Sequence, residues 1–141
     1  MRNTELIRAK EKAIYETYKR GLEEGRFSSF RDAGEWVVRQ PAPRFFIESR
    51  TVSLLVGRIE QNISLLDLHS SSRRLVRQIY RNYRQFLADH PDCQLSRERI
   101  MELLVEEPAP EFYITGDAAR RIIRKEVRRI RESWEKRETK G

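Results

Sequence analysis

At 141 residues the chain has room for one domain, or for two small ones sharing a core. Its 6 Gly and 5 Pro are too few for the turns of a β-sandwich or barrel, and its single Cys excludes an intramolecular disulfide. The formal net charge of +7 points to an anionic partner (nucleic acid, an anionic membrane or an acidic protein) and carries no argument about fold.

The first segment, residues 3–25, has helical periodicity. Ile7, Ile14, Tyr18 and Leu22 are expected on its buried face, Thr4 as its N-cap and Gly25 as its stop. A short second helix follows, with Ser29 as cap, Asp32 three residues on, and Ala33, Trp36 and Val37 inward. Pro41 disfavours its continuation through Gln40. Ser49 is the expected cap of a third helix, which buries Val52, Leu55, Val56, Ile59 and Ile63. The serine cluster after Leu68 marks a boundary, and Ser71 or Ser72 can cap a fourth helix that buries Val76, Ile79, Tyr80, Tyr83 and Leu87. Ser96 caps a fifth helix, with Ile100, Leu103 and Leu104 inward. Thr115 caps a sixth, with Asp117 in the first turn, where the helix dipole favours it.

The chain writes one motif twice: Pro41-Ala42-Pro43-Arg44-Phe45-Phe46-Ile47 and Pro108-Ala109-Pro110-Glu111-Phe112-Tyr113-Ile114. The likeness extends beyond it. Tyr15, Tyr18 and Leu22 align with Tyr80, Tyr83 and Leu87; Trp36-Val37-Val38 align with Leu103-Leu104-Val105; Val52, Leu55 and Val56 align with Ala119, Ile122 and Ile123. The expected fold is all-α, with two tandem three-helix, helix-turn-helix-like units and six main helices. The units span residues 1–68 and 69–141, each of marginal size alone and therefore inclined to share one core. The prolines hold each corner extended, and Ile47 and Ile114 sit as hydrophobic staples that fix the angle between the second and third helices.

The plan of a capped helix, a turn and a second capped helix is that of a helix-turn-helix, with the third helix of each unit as candidate reader. The turn is longer than usual, and Glu48 and Asp117 stand where base-reading side chains would be. Arg120, Arg121, Arg124, Lys125, Arg128, Arg129 and Arg131 surround an apolar stripe of Ala119, Ile123, Val127, Ile130 and Trp134 in the last helix. They are the main candidates for phosphate contact; Arg44, Arg50 and Arg58 are the candidates in the first unit. The competing reading is a solvated face with intrahelical pairs such as Arg128 with Glu132. The four tyrosines of the first and fourth helices are expected in the core rather than on bases.

His90 and Cys93, with Asp89 and Asp92, fall short of the four regularly spaced ligands of a structural zinc site. Without a phosphate-binding glycine loop, a nucleophile elbow or a His-Glu-x-x-His helix, no catalytic motif is present, and neither enzyme activity nor a cofactor is expected.

The two Pro-Ala-Pro corners resemble short helical proteins of Bacteroidales and their phages or mobile elements. In these, a Pro-Ala-Pro-Arg-Phe-aromatic-Val/Ile segment precedes an Ala- and Arg-rich helix. The resemblance covers about a third of the chain, and Glu111 departs from it where arginine is usual. It implies a phage or mobile-element setting and no particular activity. The expectation is a non-enzymatic protein that binds duplex DNA. The alternative is an assembly module that pairs with itself or with a phage or mobile-element protein; RNA is a third target. No membrane span is expected, and the protein is expected in the cytoplasm or inside a phage particle.

Overall fold

The computed structural model describes residues 3–140, and their side chains as far as Glu138. Six helices follow one another: α1 (Asn3–Glu24), α2 (Phe30–Val38), α3 (Ser49–Glu60), α4 (Ser70–Asp89), α5 (Arg97–Leu104) and α6 (Gly116–Lys140). No strand occurs among the described residues, so the all-α expectation holds.

The capping chemistry sets most boundaries. Ser29 Oγ accepts from the Asp32 amide at 3.1 Å, Ser96 Oγ from Arg99 at 3.2 Å and Thr115 Oγ1 from Ala118 at 3.1 Å. Gly25, at φ 64°, ends α1 in a Schellman turn: the Arg26 amide donates to Gly21 and the Gly25 amide to Leu22. Three expected caps are corrected. Thr4 lies inside the first turn of α1, Glu48 rather than Ser49 caps α3, and His69 precedes α4, whose first turn contains Ser71 and Ser72. Neither Glu48 nor His69 makes a side-chain capping bond.

The third helix of each half does not pack on its own first two. α6 lies against α1 and α2, and α3 lies against α4 and α5. Among the described residues α2 makes no contact with α3, nor α5 with α6, so the expected helix-turn-helix is not formed in either half. The corners therefore do not set an angle between packed neighbours. They carry each third helix across to the other pair.

The two corners meet each other. The amides of Ala42 and Ala109 donate to one another's carbonyls, both at 2.9 Å, in an isolated antiparallel bridge. Phe45 stacks on Tyr113 at 6.0 Å between centroids and Phe46 on Phe112 at 6.2 Å. Phe45 and Phe112 are buried, and Ile47 and Ile114 pack on the core from its edge. One hydrophobic cluster runs through all of this, from Ile14 and Val37 to Val76, Ile100 and Ile123.

The inward faces differ from several expectations. On α1 the buried positions are Leu6, Glu11, Ile14, Thr17 and Gly21, whereas Ile7 and Leu22 face outward. Gly21 sets this rotation, because a Cβ there would stand 2.6 Å from both the Phe27 and the Trp36 rings. Ile63, Leu87 and Leu103 are also exposed, while Leu75 and Met101 are buried.

Tyr113 adopts φ 56°, a left-handed conformation that is unusual for a ring-bearing residue. Burial, with Glu111 adding to it against the opposing Arg81 and Arg74, pushes its phenol up to about 12 from 10.0. The folded state thus holds the proton more tightly than the unfolded state. Its stabilisation is complete below pH 10 and is lost as pH rises from 10 towards 12. Urea melts across that range should show declining stability in the wild type and a flatter profile in Tyr113→Phe.

Candidate nucleic-acid interface

α6 is the longest helix, at 25 residues against 12 for α3. α3 stops in a Schellman turn at Asn62 (φ 59°), where the Ile63 amide donates to Arg58 at 2.8 Å and the Asn62 amide to Ile59 at 3.1 Å. Asparagine tolerates that conformation. Arg129 stands 67 residues later, and there α6 runs on.

The structure sorts the candidate cations of α6 into two groups. Arg120 is tied to Asp117, lies 3.6 Å from Glu35 and donates to the Arg31 carbonyl at 2.8 Å. Lys125 donates to Glu11 at 2.6 Å, and Arg129 lies 3.4 Å from Glu126. These three hold α6 to the bundle or to itself. Arg121, Arg124, Arg128 and Arg131 form the other group, and all four are exposed. Their 3-4-3 spacing places them within about 80° of arc, along about 15 Å of helix. Arg124 lies over the Phe30 ring at 4.8 Å. Arg121, Arg128 and Arg131 form no ion pair or hydrogen bond with a described residue, and the anticipated Arg128–Glu132 pair is not made. Asp117 and Glu135 bracket this row, so the uncompensated stretch is Arg121–Arg131.

Carboxylates sort the cations in this way. Glu126 is buried between α1 and α6, bonded by Arg8 and close to Arg129; Glu11, also buried, takes Lys125. Arg8 and Arg129 keep two-fifths or more of their side-chain surface in water, so they tolerate losing this partner, whereas Glu126 does not. Arg8→Ala is accordingly expected to cost about 1–3 kcal/mol and Glu126→Leu far less, as read from urea midpoints. Equal costs for the two variants would contradict this reading.

The first-half candidates are not brought to the row. Arg44 donates to its neighbour Phe45's carbonyl at 3.1 Å. With Arg50 it lines a cleft of about 310 Å³ that also contains Glu48, Glu102 and Glu106, a mixed field that does not favour an anion. Arg58 is bonded to Asp67 at 2.7 Å and to the Ser64 carbonyl, and closes the loop after α3; that bond holds the Asp67 carboxyl below its usual range. Glu111, in the place of Arg44 in the second corner, takes Arg74 at 2.7 Å.

The apolar stripe of α6 divides at Ile123. Ala119 and Ile123 are buried; Val127 and Ile130 are over a third exposed and Trp134 is 60% exposed. The correction has a plain cause: α1 and α2 cover only the first half of the helix. Next to the arginine row, Tyr18, Phe30, Ile123 and Val127 form the floor of a hollow of about 440 Å³, rimmed by Arg124, Arg128 and Arg131. Tyr18, expected in the core, packs against it and also lines this hollow beside the arginines. No spacing rule links residues 18 and 30 to residue 124.

No group of three or more His, Cys, Asp or Glu side chains suited to a metal exists among the described residues, and no described helix is long and apolar enough to cross a membrane. Comparison with protein-family models, curated proteins and solved structures finds no match.

Proposed function

We propose that this is a non-enzymatic DNA-binding protein that contacts duplex phosphates through the exposed arginine row of α6. The observation that carries the reading is the sorting of cations. Glu11, Glu35, Asp117 and Glu126 are engaged by Arg8, Arg120, Lys125 or Arg129, and Glu132 pairs with none of the row, which leaves Arg121, Arg128 and Arg131 aligned and without an ion pair to a described residue. Arginine suits phosphate by its fork of donors, and a row on one helix face positions a protein on a backbone without reading bases. If four phosphates are neutralised, the slope of log K against log salt should be about −3.6, so affinity should fall on the order of a hundredfold between 50 and 200 mM salt. Anisotropy titrations with a labelled duplex test this; no binding at low salt would remove the reading.

The scaffold under that reading is a duplicated three-helix unit whose third helices are exchanged. The 67-residue recurrence, the crossed packing of α3 and α6 and the reciprocal Ala42–Ala109 bonds support it. One copy keeps a short third helix, and the other extends it into the binding row.

A second reading is an assembly module, favoured by the exposed Val127, Ile130 and Trp134 along the same helix. Light scattering that shows an oligomer broken by Trp134→Ser would support it.

A further inference from the structure

A smooth duplex backbone leaves the hollow beside the arginine row empty. Its floor is apolar and aromatic: Tyr18 and Phe30 meet edge to face at 6.2 Å, with Ile123 and Val127 alongside. Its rim is three guanidiniums, and no carboxylate lines it. Arg124 already rests on the Phe30 ring, so the rim supplies a flat cationic surface as well as hydrogen-bond donors. This combination fits a ligand with one flat apolar face and anionic groups on both sides of it. An unpaired nucleotide has that form: a base for the floor, and a phosphate on either side for Arg121 and Arg128 or Arg131.

We infer that the hollow receives one unstacked base, so that the protein prefers DNA with an unpaired nucleotide over continuous duplex. The inference rests on the phosphate-binding reading and deepens it. The arginine row supplies affinity for any DNA, and the hollow supplies discrimination between paired and unpaired structure. The Arg124–Phe30 contact is decisive, because the incoming base takes the place of the guanidinium on the ring or slides beneath it.

The test uses the full chain and three labelled DNAs: a continuous duplex, the same duplex with one extrahelical fluorescent adenine analogue, and the corresponding single strand. Stacking energies measured for single bases on aromatic side chains lead us to expect roughly tenfold tighter binding of the two unpaired probes, with quenching of the analogue. Phe30→Leu, checked for folding by circular dichroism, should lose the preference and the quenching while keeping the salt slope. Val127→Gln, at a more exposed position, provides the same test with less risk to the core. Equal affinity for all three DNAs without quenching overturns the inference and leaves backbone binding standing. Binding of none overturns both. Absence of DNA binding together with capture of an acidic, aromatic-containing peptide by the same hollow would make it a protein-docking site and overturn the nucleotide assignment.

Discussion

Gly34→Val should be among the most damaging single substitutions in this chain. α2 crosses α6 so closely that a Cβ on Gly34 would lie 2.7 Å from the Gly116 carbonyl oxygen and 2.8 Å from Cγ of Arg120. The first of these is backbone and cannot swing aside. A side chain at Gly116 would in turn strike the Glu35 carboxylate. Forcing the helices apart would loosen Ala33, Val37, Ala119 and Ile123, all buried at this crossing. We expect a loss of about 3 kcal/mol or more, and a fall in Tm on the order of 10 °C. Gly57→Ala is the control. There a Cβ would meet only the guanidinium tip of Arg97 at 3.0 Å, a flexible group, and alanine is the better helix former by about 0.5–1 kcal/mol. Thermal melts that place Gly34→Val beside the wild type would show that α2 and α6 do not approach as described.

That crossing is also where sequence reading meets its limit. Each helix was legible because its apolar residues recur at helical spacing and because Ser29, Ser96, Thr115 and Gly25 punctuate the chain. The doubled corner was legible as a recurrence. Which pair of helices each third helix joins was not. A stripe such as Val52–Val56 or Ala119–Ile123 states that a face is buried and not what buries it. The order of capped helix, turn and second capped helix suggested local packing, yet the Pro-Ala-Pro corner is extended enough to carry the chain past its neighbour. Gly34 is the one sequence signal of the crossing, since a glycine amid a helical pattern marks either weakness or close approach.

The candidate site was partly legible in the same sense. The density of arginine in the last helix pointed to the right element, and the 3-4-3 spacing of Arg121, Arg124, Arg128 and Arg131 was available in the sequence. Arg120, Lys125 and Arg129 could not be told apart from them by composition. Asp117 and Glu126 stand three residues before Arg120 and Arg129 on the same helix, but Glu35 and Glu11, which take Arg120 and Lys125, lie 85 and 114 residues away, and only the packing of α6 on α1 and α2 reveals them. Exposure is likewise a tertiary fact. Val127, Ile130 and Trp134 continue a stripe that is buried at Ala119 and Ile123, and they emerge because the bundle ends before the helix does.

Combined Arg121→Glu, Arg128→Glu and Arg131→Glu should abolish DNA binding with little effect on stability. None of the three is bonded to a described residue, and all are exposed, so their reversal removes no contact from the core. Each change replaces a donor fork by a carboxylate that repels phosphate, and the net charge moves from +7 to +1 as six units are lost. Loss of three of four phosphate contacts alone predicts a salt slope near −0.9, and repulsion should carry affinity below detection at 150 mM salt. The matched control is Arg120→Gln with Lys125→Gln. It removes two positive charges from the same helix but takes them from groups already tied to Asp117, Glu35 and Glu11. That variant should lose stability and keep most of its binding. If the two variants lose binding in proportion to charge removed, regardless of position, attraction is a property of the whole basic surface and the row has no special standing. If only the reversed row fails, the phosphate contact belongs to this face of α6.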